Sequence, residues 1–512
     1  MNLTGSRPGS TNRTRFALLS AVAALALLTS ACGSRLSGSQ QALAQGASSN
    51  GKASSAAPNQ ASGTATTTTI ASAAPTSGGA PSGTATTTPA AGTGTAAKGS
   101  TTATTAAGGA STPAASTAPC GANGNETPAA GNGGATATGV TATSITVGNI
   151  ASISGVAPGL TQSAQQATQA WAAYVNSTGG ICGRQIKVQP FDDGNDSGTN
   201  YSDAQQACSS DFAMVGNASG FDDGSAQAVG ACGIPTLAAE VSTAAAGTTA
   251  DIFGASPGNA HYWALGPANY LKTTYPNAIT KAAMIYLNVS ATQTQAAHEV
   301  AAYESVGFKY VYNTSTTPTN ANYAANVQAM QSAGAQYVTE YSDASSAERL
   351  LQSMQQANYA PQVVDWFSEE YSPQFAQQTE PESNGDLVLL SATDAYEEAS
   401  GNPGMQLFES WMNRVAGTSW HHDIFAILAW SAGLAFEQAL KQVGPALTRP
   451  AVITKIQGIT NWTGGGVTPP VNIGGKVPSK CFAYFKIESG AFQRVYPTAP
   501  NTFDCSSPLF QY

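Results

Sequence analysis

A break in composition near residue 140 decides how much of this chain can fold. From Gly33 to Thr143 the sequence is largely Ala, Thr, Gly, Ser and Pro, and only Arg35, Lys52, Lys98 and Glu126 carry charge. A segment so poor in apolar side chains cannot offset the entropy of ordering itself, so residues 32–139 read as a disordered linker. About 110 residues of such coil have a root-mean-square span on the order of 55–60 Å. From Val140 to Tyr512 aromatics appear, and Val, Ile and Leu return in short runs. That length exceeds one simple core and implies two lobes.

Ahead of the linker, Arg7, Arg13 and Arg15 precede the uncharged run Phe16–Leu28, FALLSAVAALALL. This order is that of a secretory signal over residues 1–31. The run is too short to span a bilayer, which takes about 20 apolar residues. Thr29-Ser30-Ala31-Cys32 follows at once and resembles the lipobox of bacterial lipoproteins. The resemblance implies acylation of Cys32 and an extracytoplasmic chain anchored in the lipid bilayer, at the outer face of the cell membrane or in the periplasm. No later stretch reads as long and apolar enough to span a membrane.

Residues from 140 on carry 14 Lys and Arg against 28 Asp and Glu, a net of −14. That balance disfavours nucleic acid and anionic membrane surfaces as partners. Besides Cys32 there are six cysteines, Cys120, Cys182, Cys208, Cys232, Cys481 and Cys505. An even number in an exported chain suggests disulfides, and six allow 15 pairings. Proximity favours Cys208–Cys232 and Cys481–Cys505, which leaves Cys120–Cys182. No two cysteines have the close spacing of a zinc site, and no metal or cofactor is expected.

Short apolar strands alternate with helical spacing. Strands are expected at 144–150, 184–191, 212–215, 234–237, 282–287, 308–312, 336–340, 362–366, 387–390 and 482–487. Helices are expected between them, with one at 259–273 and a long one at 422–442. This rhythm predicts an α/β chain of two Rossmann-like lobes, each with a parallel sheet. The first lobe is expected over 140–265, completed by about 386–445. The second is expected over 266–385, completed by about 446–512.

The ordered series of pieces resembles the type 1 periplasmic-binding proteins, in particular the leucine/isoleucine/valine-binding receptors of ABC transporters. The residues that carry this are Val140–Gly148 as an opening strand, then Ser154-Gly155 as the first cleft loop. Next come Asn176 with Gly179-Gly180-Ile181 and Gly183-Arg184, and then Asp192-Asp193-Gly194. Val215-Gly216 and Gly233-Ile234-Pro235 follow at the third strand and before the fourth. The resemblance implies a receptor that captures a small polar solute, an amino acid or amide-like molecule, between its lobes and presents it to an ABC permease. Ligand-binding positions carried over are Ser154, Ser219, Val241, Ser242, Tyr341, Glu369 and Glu370. Glu240 and Asp222 depart from the pattern and weigh against a simple carboxylate ligand. Ser219 and Ser242 also suit helix capping, and Tyr341 suits lobe packing.

Two other classes compete. One is a sensor or surface protein that uses the same lobes without transport. The other is a secreted hydrolase, on the strength of Gly254-Ala255-Ser256-Pro257-Gly258. A nucleophile elbow needs an N–H from the residue after the Ser, and Pro257 has none. His298-Glu299 is followed by Ala302 rather than a second His, so no zinc helix forms. The chain is therefore expected not to be an enzyme.

Overall fold

β1 (Ser144–Ala151) reads SITVGNIA and is buried along nearly its whole length, as befits the centre of a parallel sheet. In the computed structural model, which describes residues 120–257 and 261–512, it begins a five-stranded sheet. The other strands are β2 (Gln185–Asp192), β3 (Ala213–Val215), β4 (Thr236–Glu240) and β5 (Ile252–Ser256). Their order is β2-β1-β3-β4-β5, and every pairing is parallel. The leader and Cys32 lie outside the described residues, as does the linker up to residue 119.

β6 (Tyr262–Ala264) leads to a second sheet. Its parallel strands are β7 (Ala282–Leu287), β8 (Tyr310–Thr316), β9 (Tyr337–Tyr341), β10 (Val363–Trp366) and β11 (Leu387–Leu390). They run in the order β8-β7-β9-β10-β11, the same winding as the first sheet. β12 (Ala483–Glu488) and β13 (Ala491–Tyr496) add to it antiparallel beyond β11. The two-lobed α/β architecture is as expected. The chain leaves the first sheet after β5. After β11 it lays the helices Pro403–Val415 and Ile424–Val443 against the first lobe's helix Gln162–Ser177. It then rejoins the second sheet with β12.

Side-chain caps set the helix starts. Asp196 accepts from the Thr199 N–H, Asp343 from those of Ser345 and Ser346, and Asp423 from that of Ala426. The helix Ile424–Val443 is long and apolar enough to cross a membrane, contrary to the expectation that no later stretch is. Fifteen of its 20 residues are buried in the protein, which accounts for its composition.

Two further expectations are corrected, and two elements are added. Tyr262 and Trp263 do not open a helix: β6 pairs antiparallel with β14 (Leu509–Gln511), and the helix starts only at Gly266. The strand β5 and the helix Pro403–Val415 had no counterpart in the sequence reading. Residues 120–139, read as the end of a disordered linker, instead pack on the first lobe. Asn132 is buried and donates to the carbonyls of Ala142 and Cys182 at 2.8 and 3.1 Å. The fully buried Arg184 guanidinium donates to the carbonyls of Asn132, Gly134, Thr141 and Pro445. Local composition did not show this order because it comes from contacts distant in sequence. The three disulfides Cys120–Cys182, Cys208–Cys232 and Cys481–Cys505 match the favoured pairing.

Candidate functional site

Doubly wound sheets bind ligands outside the carboxyl ends of their strands. Here those ends, from both sheets, meet on one cavity of about 810 Å³, counting its open mouth. Ser219 and Phe221 reach it from the loop after β3, Glu240 from the end of β4 and Ser242 from the loop after β4. From the second lobe come Leu287 at the end of β7, Tyr341 to Asp343 at the end of β9, and Glu369 after β10. Phe425 closes one side from the start of the helix Ile424–Val443. A second cavity of about 780 Å³ adjoins it, sharing Glu240 and Gln295, and includes Trp263 and Phe367. Trp263 stacks on Phe367 with ring centres 6.2 Å apart.

The charge of this site is one-sided. Glu240, Asp343 and Glu369 line it, and among the described residues no Lys, Arg or His lines either cavity. Removal from water, and then the charge of Asp222, pushes Glu240 up to about 7. Removal from water, and then the charge of Glu240, pushes Glu369 well above the usual carboxylate range. Glu369 Oε2 is buried and has no hydrogen-bond partner. Asp222 stands just behind. Its carboxylate accepts the backbone N–H of Ser242 at 2.8 Å and that of Thr243 at 3.0 Å. Burial still pushes Asp222 up to about 7.

The structure brings four of the sequence-derived site residues to the cavity, namely Ser219, Ser242, Tyr341 and Glu369. Two of these hydroxyls are already engaged. Ser219 donates to Asp193 and accepts from the Phe221 N–H at 3.0 Å. Tyr341 donates to Glu299 Oε2 at 2.6 Å, which leaves its ring as the cavity wall. The other three positions are not among the cavity-lining residues. The Ser154 N–H donates to Asp192 at 3.0 Å in an exposed turn. Val241 packs in the core of the first lobe, with its N–H bonded to the Ser256 carbonyl at 3.0 Å. Glu370 is fully buried with both carboxyl oxygens unpartnered. Burial, and then Glu369 and Glu340, push its pKa well above the usual range. Phe221, Gln295 and Phe425 were missed, because no local pattern marks a residue as facing a cavity made by another lobe. Ser256 ends β5 and lines the second cavity, while Gly258 lies outside the described residues.

Residues 144–491 match the protein family described as periplasmic binding protein. The chain belongs to that family. A comparison with curated proteins found no match. Solved periplasmic binding proteins share the fold at low identity. The fatty acid ABC transporter substrate-binding protein from Thermomonospora curvata is 17% identical, with a TM-score of 0.61 over 72% of this chain and 97% of that one. A solute-binding protein from R. palustris, solved with benzoate, is 15% identical with a TM-score of 0.57, covering 70% and 97%. A branched-chain amino acid transporter substrate-binding protein from Streptococcus pneumoniae, solved with isoleucine, is 15% identical with a TM-score of 0.55, covering 69% and 100%.

Proposed function

We propose that this periplasmic binding protein is the lipid-anchored, extracytoplasmic receptor of an ABC importer, which captures one small polar solute between its lobes. The observation that supports this most is the convergence of strand ends from both sheets on one cavity. A solute held there touches both lobes, so it stabilises the closed arrangement, and the closed arrangement is what a membrane permease would recognise. Of the carried-over positions, Ser242, the Tyr341 ring and Glu369 are the proposed ligand contacts. Ser219 supports the loop behind them. Acylation at Cys32 keeps the receptor near its permease.

Thermal-shift screening of the purified protein tests the receptor reading. A solute present at 100 times its Kd should add about 2.7 kcal/mol of stability. A chain that turns over an ester or glycoside, and is stabilised by no solute, would sink the reading. The anchor is tested separately: Cys32→Ser should release the protein from the membrane fraction into the medium.

A further inference from the structure

We propose that the cleft takes an organic cation, a molecule with an amine or guanidine and no carboxylate, whose charged nitrogen sits between Glu240 of the first lobe and Glu369 of the second. This inference rests on the receptor reading above. Two carboxylates from opposite lobes line one cavity that holds no cationic side chain among the described residues. Buried charge is tolerated only when it is paired or neutralised. Glu369 Oε2 is buried and without a hydrogen-bond partner among the described residues, so no side chain there neutralises it.

The backbone N–H groups of Ser242 and Thr243, in the loop after β4, are already taken by the Asp222 carboxylate. In effect the protein sets its own carboxylate against these two donors. A second anion beside Asp222 and Glu240 would meet like charge on both sides.

Much of the remaining wall is apolar, with Val156, Leu160, Phe221, Leu287 and Phe425, beside the polar Asn195, Thr292 and Gln295. Such a wall suits the hydrocarbon body of an organic amine and does not suit a hydrated inorganic ion. No group of three or more His, Cys, Asp or Glu able to hold a metal ion occurs among the described residues. Aromatic faces beside the carboxylates add cation–π attraction.

The test uses amino acids and their decarboxylated counterparts: leucine with isoamylamine, phenylalanine with phenethylamine, and arginine with agmatine. Benzoate, a long-chain fatty acid and calcium complete the panel, and titration calorimetry is run on the full chain at pH 8. In at least one pair the amine should bind at least tenfold more tightly than its amino acid. Glu240→Gln and Glu369→Gln should each weaken that amine at least tenfold, while the melting temperature without ligand stays level or rises. Equal or tighter binding of the amino acid in every pair overturns the cation proposal and leaves the receptor reading standing. So does binding of benzoate, the fatty acid or calcium alone. Amine binding that both Gln variants leave unchanged also overturns it. If nothing in the panel binds, the cation proposal falls, and the receptor reading stands or falls by the thermal-shift screen.

Discussion

The Ser242 backbone N–H donates to the carboxylate of Asp222 at 2.8 Å, across the mouth of the loop after β4. That bond occupies a backbone donor of this loop with a carboxylate of the protein itself. It also places Asp222 close enough to raise the pKa of Glu240. The bond and the charge together make the first lobe's side of the cleft acidic.

Removing that internal anion should therefore change selectivity. Asp222→Ala frees the N–H groups of Ser242 and Thr243 and takes away one negative charge. We expect the affinity ratio of leucine to isoamylamine to rise by about tenfold, near 1.4 kcal/mol. A ratio unchanged in calorimetry would show that Asp222 does not govern ligand charge.

Ser219 is expected to matter for stability more than for binding. Its hydroxyl is bonded to the fully buried Asp193, which also accepts from Ser152 and Asn200 at 2.8 and 3.0 Å. Ser219→Ala leaves Asp193 one donor short, a loss of about 1–3 kcal/mol. Denaturant unfolding should show that loss, with ligand affinity changed less than threefold. The reverse pattern would return Ser219 to direct ligand contact.

Stability should fall as pH rises. Burial pushes Glu240 and Glu299 up to about 7, and Glu340 and Asp365 up to about 8. Each binds its proton more tightly folded than unfolded. Between about pH 4.5 and pH 8 the native state thus holds more protons than the unfolded chain, and the free energy of unfolding decreases with pH. The groups facing them are mostly acids and phenols, such as Asp222 and Glu369 for Glu240, and Tyr310 and Tyr341 for Glu299. Glu340 alone has a nearby cation, Arg349, whose effect is smaller than that of burial. The melting temperature without ligand should drop by several degrees from pH 5.5 to pH 8. A flat or rising profile would contradict the assignment of neutral buried carboxyls.

Arg184 should be among the least replaceable residues of the first lobe. It ties residues 132–141 and Pro445 to the loop before β2 through bonds to four carbonyls. Arg184→Met keeps the apolar stem and removes all those donors. A cost of about 3 kcal/mol or more is expected, since each buried carbonyl left without a donor costs about 1 kcal/mol or more. Protease cleavage between residues 120 and 139 should rise in the variant. Resistance equal to the parent's would mean that the Cys120–Cys182 bridge alone holds the segment.

Much of the architecture was legible in the chain. The strand–helix rhythm and the cysteine spacings are local signals, because propensity and loop closure act over short separations. They sufficed for a two-lobed α/β fold and for the three disulfides. Glu240 and Asp222 were also visible as acids that depart from the family pattern. What the sequence left open was which groups meet. Ser154, Val241 and Glu370 sit at plausible strand ends but are not among the residues lining the cavity, whereas Phe425 and Gln295 reach it from other parts of the chain. The folding of residues 120–139 likewise depends on Arg184, more than 40 positions away. Local composition specifies what each segment can become. Only the packing of one lobe against the other decides which carboxylates share a cavity, and so which charge a ligand must bring.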